Sequence, residues 1–253
     1  MNERLVPASV RAFASGRGLT RLRHAGGGVE FEVFAAAAPD GSEVVLRTPA
    51  GGRFQFNAND GPVDTRSLLR WEHTVTQHLA GFGFPVARPR ELVLGDPDVL
   101  VSAFIPDDGD GTDQVELGGL LRRLHQLPVP PAAHPPAARG LPTTEQLPRR
   151  ITDRFAELSA LVPGLAAPPP AAQLAAVLRA TGQPGRSLLH LDVRGPNLRC
   201  AGGVIRALID WSNALIGDPA LELARLAEYA WLPDWAPAPW TGCATCTSSS
   251  PGN

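Results

Sequence analysis

The sequence predicts an α+β fold in two lobes, an antiparallel sheet with one helix followed by a mostly helical part, on three observations. Period-2 apolar runs separated by turn residues fill much of the first hundred residues, around one long amphipathic stretch. After an acidic, glycine-rich link at 107–113 the apolar spacing becomes helical and leucine-rich. The 43% of hydrophobic residues in a chain of 253 is enough to bury a core, and 26 Gly with 26 Pro fall short of low complexity.

The elements follow in order. Val29, Phe31 and Val33 alternate with Glu30, Glu32 and Phe34, Pro39-Asp40-Gly41 supplies a turn, and residues 43–48 resume an extended run, so a β-hairpin is expected. Residues 64–80 read as a helix, capped by Asp64, striped by Leu68, Trp71, Val75 and Leu79, and stopped at Gly81. Residues 98–105 form a further apolar strand. A boundary near 104–110 then divides an N-terminal lobe, 1–105, from a C-terminal lobe, 106–253.

Beyond it, residues 115–127 carry Leu117, Leu120, Leu121 and Leu124 at helical spacing. Seven prolines between Pro128 and Pro148 predict a surface excursion with no regular element. Helices are expected at 151–161 and 171–180, parted by Pro168-Pro169-Pro170, the second stopping at Gly182. Next come a strand, a loop, a hairpin turn at Ala201-Gly202-Gly203 and a strand ending at Asp210. A last helix opens with Asp218 as N-cap and Pro219 in its first position. Residues 232–253 read as an irregular tail, and no internal repeat is visible.

Composition excludes several classes of function. A net charge of -2 and a pI near 6.3 give no basic field for a phosphate backbone, so no nucleic-acid partner is expected. The chain has no lysine, all 23 basic residues being arginine, which removes Walker-A loops and Schiff-base chemistry. Cys200, Cys243 and Cys246 are too few and unevenly placed for a disulfide framework, and the tail's lone C-x-x-C lacks the context of a zinc or redox site. The apolar stretch before Arg11 is six residues long and broken by Pro7, and no run reaches the ~18 residues of a membrane span. A soluble, cytoplasmic protein without a membrane partner is expected.

The most informative stretch is 188–229. It sets Asp192 and Asn197 five apart in one loop and returns Asp210 at the end of the next hairpin, where loop and strand end can meet. A magnesium ion on nucleotide phosphates takes one or two protein oxygens, which suits Asn197 and Asp210 as metal ligands and leaves Asp192 for the reacting hydroxyl. The competing reading is a polar loop in an ordinary α/β domain, which gives Asp210 on its apolar strand little reason to exist. The H-x-D-x-x-x-x-N spacing, the following Ile209-Asp210-Trp211, and Gly217-Asp218-Pro219 with Glu222-Leu223 resemble the aminoglycoside phosphotransferase and choline kinase group, relatives of protein kinases.

That resemblance, from about Gly26 to Tyr229, implies a bilobal protein-kinase-like fold with 1–105 as the nucleotide-binding lobe and 106–253 as the catalytic and acceptor lobe. It implies a small-molecule kinase: Mg²⁺-dependent transfer of the γ-phosphoryl group of ATP or GTP to a hydroxyl, with Asp192 as the catalytic base. Arg47, in place of the protein-kinase lysine, would reach the phosphates and be held by Glu72, whose place in the apolar stripe of its helix demands a partner. Ala103 and Ile105 would bind the base through their backbone, and His190 would brace the loop. Arg194 is placed to keep Asp192 ionised, Glu222 to support the loop from its helix, and His125 to close its own helix.

Two features stay open. Gly26-Gly27-Gly28 suits a turn over the nucleotide but matches no G-x-G-x-x-G, and Asp107, Asp108, Asp110 and Asp113 are either a solvated link or an attractor for a cationic acceptor. The acceptor, an antibiotic such as an aminoglycoside or macrolide or another small alcohol, is not readable, and a non-catalytic nucleotide-binding relative is the alternative. Only 24 residues follow Tyr229, and they lack apolar periodicity. The expectation drawn from this is a truncated acceptor wall, with an apolar patch at Leu221, Leu226 and Trp231 and a monomer or weak self-association.

Overall fold

A computed structural model describes residues 6–57, 61–131, 141–180 and 186–230. Among them, β1 (Thr20–Gly27), β2 (Phe31–Ala37), β3 (Glu43–Pro49), β6 (Pro89–Val93) and β7 (Val99–Ala103) form an antiparallel sheet in the order β1-β2-β3-β7-β6. The short hairpin β4 (Phe54–Asn57) and β5 (Gly61–Asp64) precedes α2 (Thr65–Gly81). The strand alternation read from the sequence sorts the side chains of this sheet. Phe34, Leu46 and Val101 pack on one face with Val10 and Phe13 of α1 (Ala8–Gly16). Phe31 and Leu100 pack on the other with Leu68 and Leu69 of α2.

Helix α2 has two apolar faces. Leu68 and Leu69 meet the sheet, while Trp71, Val75 and Leu79 join Leu117, Leu120, Leu121 and Leu124 of α3 (Gln114–Gln126) in a second core. Asp64 caps α2 as the sequence predicts, accepting from the Arg66 amide at 3.0 Å, and Asp113, read from the sequence as part of the acidic link, caps α3 by accepting from the Glu116 amide at 2.8 Å. The rest of the C-terminal part comprises α4 (Thr143–Leu161), α5 (Ala171–Ala180), β8 (Ser187–Leu189), β9 (Leu198–Ala201), β10 (Val204–Leu208), β11 (Leu215–Gly217) and α6 (Pro219–Tyr229). Strand β8 pairs with β11 and β9 with β10, both antiparallel.

Three expectations need correction. The sheet carries two helices, α1 as well as α2, because Val10, Phe13 and Ala14 present a small apolar face to it despite the lack of a side-chain cap. The proline-rich excursion ends earlier than Pro148, which lies inside α4; the helix starts after Pro142, and Pro148, its sixth residue, costs it the amide that would bond the Thr144 carbonyl. The proposed apolar patch is smaller, since Leu226 packs partly against the second core, although Leu223 is exposed. Trp231, Cys243, Cys246, the 232–253 tail and Gly182 lie outside the described residues. No helix among the described residues is long and apolar enough to cross a membrane.

Candidate active site

The loop 190–197 leaves β8 with its backbone clamped from α6. Glu222, fully buried, accepts hydrogen bonds from the amides of His190 (2.6 Å) and Leu191 (2.8 Å), and Leu191 adopts a positive φ of 62°. Such a conformation is uncommon for a branched side chain and persists where surroundings enforce it. His190 is fully buried. Its Nε2 bonds the Ile209 carbonyl at 3.0 Å, and its Nδ1 accepts from the Asp192 amide at 3.2 Å. Burial pushes its pKa down, against the raising effect of Glu222, so the ring is neutral with the proton on Nε2. It braces the loop, in agreement with the sequence reading.

These constraints aim Asp192, which is 6% exposed. Asn197 Nδ2 donates to Asp192 Oδ2 (2.8 Å) and to its backbone carbonyl (2.9 Å), Arg194 Nε donates to Oδ2 at 3.1 Å, and the Tyr229 hydroxyl donates to Oδ1 at 2.5 Å. The expected Arg194 contact is therefore present. The Ile209 amide donates to the Asn197 carbonyl at 2.9 Å, which sets Asp210 beside the loop. Asp210 also has a positive φ, 65°. Asn197 directs both Nδ2 hydrogens at Asp192, and its Oδ1 accepts no hydrogen bond among the described residues.

Arg47 joins the sheet to this loop. Facing the α2 side of β3, it lies 3.1 Å from Glu72 Oε2 and 2.7 Å from Asp210 Oδ1, and donates to Ser212 Oγ at 3.0 Å. The Phe31 ring lies 4.4 Å from its guanidinium carbon. The expected Arg47–Glu72 pair forms, and Arg47 also pairs with Asp210, a contact that no local signal in the chain announces.

One guanidinium serves two carboxylates, and they divide unequally. Burial would raise the Asp210 pKa, but Arg47 and the Ser212 hydroxyl outweigh it and hold the carboxyl well below its usual range. Glu72 has the longer contact. Burial pushes it up to about 7, only partly opposed by Arg47. A carboxyl with a raised folded-state pKa contributes stability that is present in full below about 4.5 and is lost as pH rises through about 7. Subtracting the melting curves of Glu72→Gln from those of the parent should therefore give a stability difference that moves against the parent between pH 5 and 7. A flat difference would show that Glu72 stays ionised throughout.

A model of the APH phosphotransferase enzyme family matches residues 21–242. The chain belongs to that family. Solved structures share the fold at low identity. The streptomycin-ATP-APH(2")-IIa ternary complex is 13% identical with a TM-score of 0.57, over 88% of this chain and 75% of that one. A thermostable mutant of aminoglycoside phosphotransferase APH(4)-Ia with AMP-PNP and hygromycin B is 18% identical at 0.61, over 90% and 79%. Macrolide 2'-phosphotransferase MphH from Brachybacterium faecium, as apoenzyme, is 23% identical at 0.55, over 87% and 77%. No curated protein matches the chain significantly. As an APH-family phosphotransferase, this protein is a small-molecule kinase with a protein-kinase-like α+β fold.

The remaining sequence-predicted residues of this APH-family protein occupy different places. The Ala103 amide is bonded to the Arg88 carbonyl (2.9 Å) and the Phe104 amide to the Glu43 carbonyl (3.1 Å), while the Ile105 amide makes no hydrogen bond among the described residues. The glycine run closes the β1–β2 hairpin, with the Gly28 amide on the Phe31 carbonyl at 2.8 Å. A Cβ at Gly27 would stand 2.7 Å from Glu32 Oε2, so that position admits no larger side chain without displacing Glu32. Asp107 and Asp108 accept from the Cys200 and Gly202 amides (3.1 and 2.6 Å) and Asp113 caps α3, so the acidic link is fastened to the β9–β10 hairpin. Asp218 caps α6, and the His125 carbonyl, in the last turn of α3, accepts from Ser187 Oγ at 2.8 Å. Sequence reasoning missed Tyr229 and Ser212. Tyr229 had one signal, a phenol seven residues after Glu222 on the same helical face.

Proposed function

We propose that the protein moves the γ-phosphoryl group of ATP, or GTP, to a hydroxyl of a small molecule, with Asp192 accepting the hydroxyl proton. The observation that carries this reading is the convergence of Asp192, Asn197, Asp210 and Arg47 from three separate segments of the chain onto one site. In the transfer, the acceptor oxygen bonds to the γ-phosphorus, the bond from that phosphorus to the β–γ bridging oxygen breaks, and the proton passes to Asp192. Phosphoryl transfer of this kind depends on positioning and charge balance more than on covalent chemistry.

Among the described residues Asn197 Oδ1 and Asp210 Oδ2 accept no hydrogen bond, and such a hard oxygen pair suits Mg²⁺. Among the described residues no group of three or more His, Cys, Asp or Glu forms a cage, consistent with a metal that keeps waters and phosphate oxygens in its shell. When bound, Mg²⁺ would supply charge neutralisation between the phosphates. Arg47 Nε is buried without a hydrogen-bond partner among the described residues, which leaves the guanidinium a donor for a phosphate oxygen. Glu72 orients that guanidinium. Ala103 and Ile105 serve the base, the first with its carbonyl and the second with its amide.

In this reading residues 1–105 are the nucleotide-binding lobe and 106–253 the catalytic and acceptor lobe, in a protein working in the cytoplasm. The acceptor is an antibiotic of the aminoglycoside or macrolide class, supported by the streptomycin, hygromycin B and macrolide names of structures sharing the fold. The test is phosphate transfer from MgATP and MgGTP to streptomycin, hygromycin B, gentamicin, a macrolide and choline, followed by mass spectrometry of the acceptor. A gain of one phosphoryl mass on an acceptor is expected. Nucleotide binding with no transfer to any acceptor or to water would overturn the reading and leave a non-catalytic nucleotide-binding protein.

A further inference from the structure

We propose that Tyr229 is a positioning residue for the reaction, setting the carboxylate of Asp192 through its phenol; this rests on the role given to Asp192 above. Both residues are buried, Tyr229 at 1% and Asp192 at 6% exposure, and the hydroxyl donates to Oδ1 at 2.5 Å. An O–H donor on a buried carboxylate makes a charge-assisted hydrogen bond, the strong and short kind.

The other donors to Asp192 come from its own loop. Asn197 and Arg194 lie five and two residues away, so they move whenever the loop moves. Tyr229 alone among the described donors to this carboxylate comes from outside the loop, on a helix anchored by its Asp218 cap and by Leu226 against the core. Helix α6 holds the loop twice: Glu222 binds the His190 and Leu191 amides, and Tyr229, two turns and about 10.5 Å further along, binds the side chain. The first contact fixes where the loop starts. The second fixes which way the carboxylate points.

A carboxylate has about four acceptor sites. With Tyr229 on Oδ1 and Asn197 and Arg194 sharing the rest, one lone pair remains for an incoming hydroxyl, so rotation about the Asp192 side chain is closed off. The Arg225 guanidinium lies 4.6 Å over the Tyr229 ring and limits its swing. The chain contains one tyrosine, and it stands here.

Tyr229→Phe removes the donor with almost no change of volume. The probe is MgATP turnover with water as the acceptor, under single-turnover conditions, in the parent, Tyr229→Phe, Asp192→Asn and the double variant, with nucleotide affinity and melting temperature measured on each. The expected result for Tyr229→Phe is a loss of roughly 10- to 100-fold in the single-turnover rate, an unchanged nucleotide affinity, and no further loss when it is added to Asp192→Asn. Turnover at or above the parent level overturns the proposal. So does a full additive loss on the Asp192→Asn background, or a fall in nucleotide affinity matching the fall in turnover, which marks a structural role. If Asp192→Asn itself turns over like the parent, the assignment of Asp192 fails and takes the proposal with it, whereas a parent that transfers neither to water nor to any of the acceptors named above overturns the proposed function instead.

Discussion

Asp192→Asn should lower phosphotransfer by roughly 10²- to 10⁴-fold, the range for loss of a positioned base, with nucleotide affinity held at the parent value. An asparagine with its oxygen in the place of Oδ2 still accepts from Asn197 and Arg194, its NH₂ can donate to the Tyr229 hydroxyl, and it fills the same space, so the loop has little reason to refold. What it cannot do is take up the hydroxyl proton. Asp210→Ala gives the contrasting result. It removes the oxygen offered to the cation and the shorter of the two ion pairs of Arg47, and the expected loss is in magnesium-dependent nucleotide binding. Calorimetric titration with and without Mg²⁺, alongside turnover, separates the two. Parent-level turnover by Asp192→Asn on an accepted substrate would show that another group handles the proton.

The residues that sequence could assign are those whose signals are local. Asp192 and Asn197 sit in one loop, Asp210 follows after a hairpin, and Asp64 and Asp218 stand where helices begin, so a short window shows each role. Strands β2, β3 and β7 are legible because both faces of the sheet are covered there and apolar residues recur. Strands β1 and β6 lie at the sheet's two edges, and β1 reads Thr-Arg-Leu-Arg-His-Ala-Gly-Gly with mostly exposed side chains. Pairing with β2 makes it a strand, and no period in its own residues announces it. The Arg47–Asp210 pair spans 163 positions and Tyr229–Asp192 spans 37, contacts that only the folded arrangement of β3 and α6 around the loop creates. Glu72 illustrates the middle case. Its place in an apolar stripe demanded a partner and pointed to Arg47, but not that the partner would be shared.

That sharing sets the order of effects around Arg47. Arg47→Ala leaves Glu72 and Asp210 facing each other's charge with no cation between them; removing one member of a fully buried ion pair costs about 3–5 kcal/mol, and the partly exposed Asp210 side chain brings the expected cost to the lower end of that range. Glu72 can relieve part of this by taking a proton, since burial already holds it near 7. Nucleotide binding should be lost as well, because the guanidinium offered to the phosphates is gone. Glu72→Gln removes only the longer contact, leaves the 2.7 Å pair with Asp210 and, at a pH where Glu72 is ionised, also removes a carboxylate whose charge burial disfavours, so its net cost should fall far below that of Arg47→Ala. The double variant tests whether these side chains act together. With Glu72 already neutral, deleting Arg47 strands one carboxylate instead of two, so Arg47→Ala/Glu72→Gln should melt no lower than Arg47→Ala and bind nucleotide no worse. Denaturant unfolding of the parent, both single variants and the double at pH 8, where Glu72 is ionised, gives the coupling directly. Losses that add in full would mean that Arg47 and Glu72 are merely neighbours, and that Asp210 alone accounts for the position of the arginine.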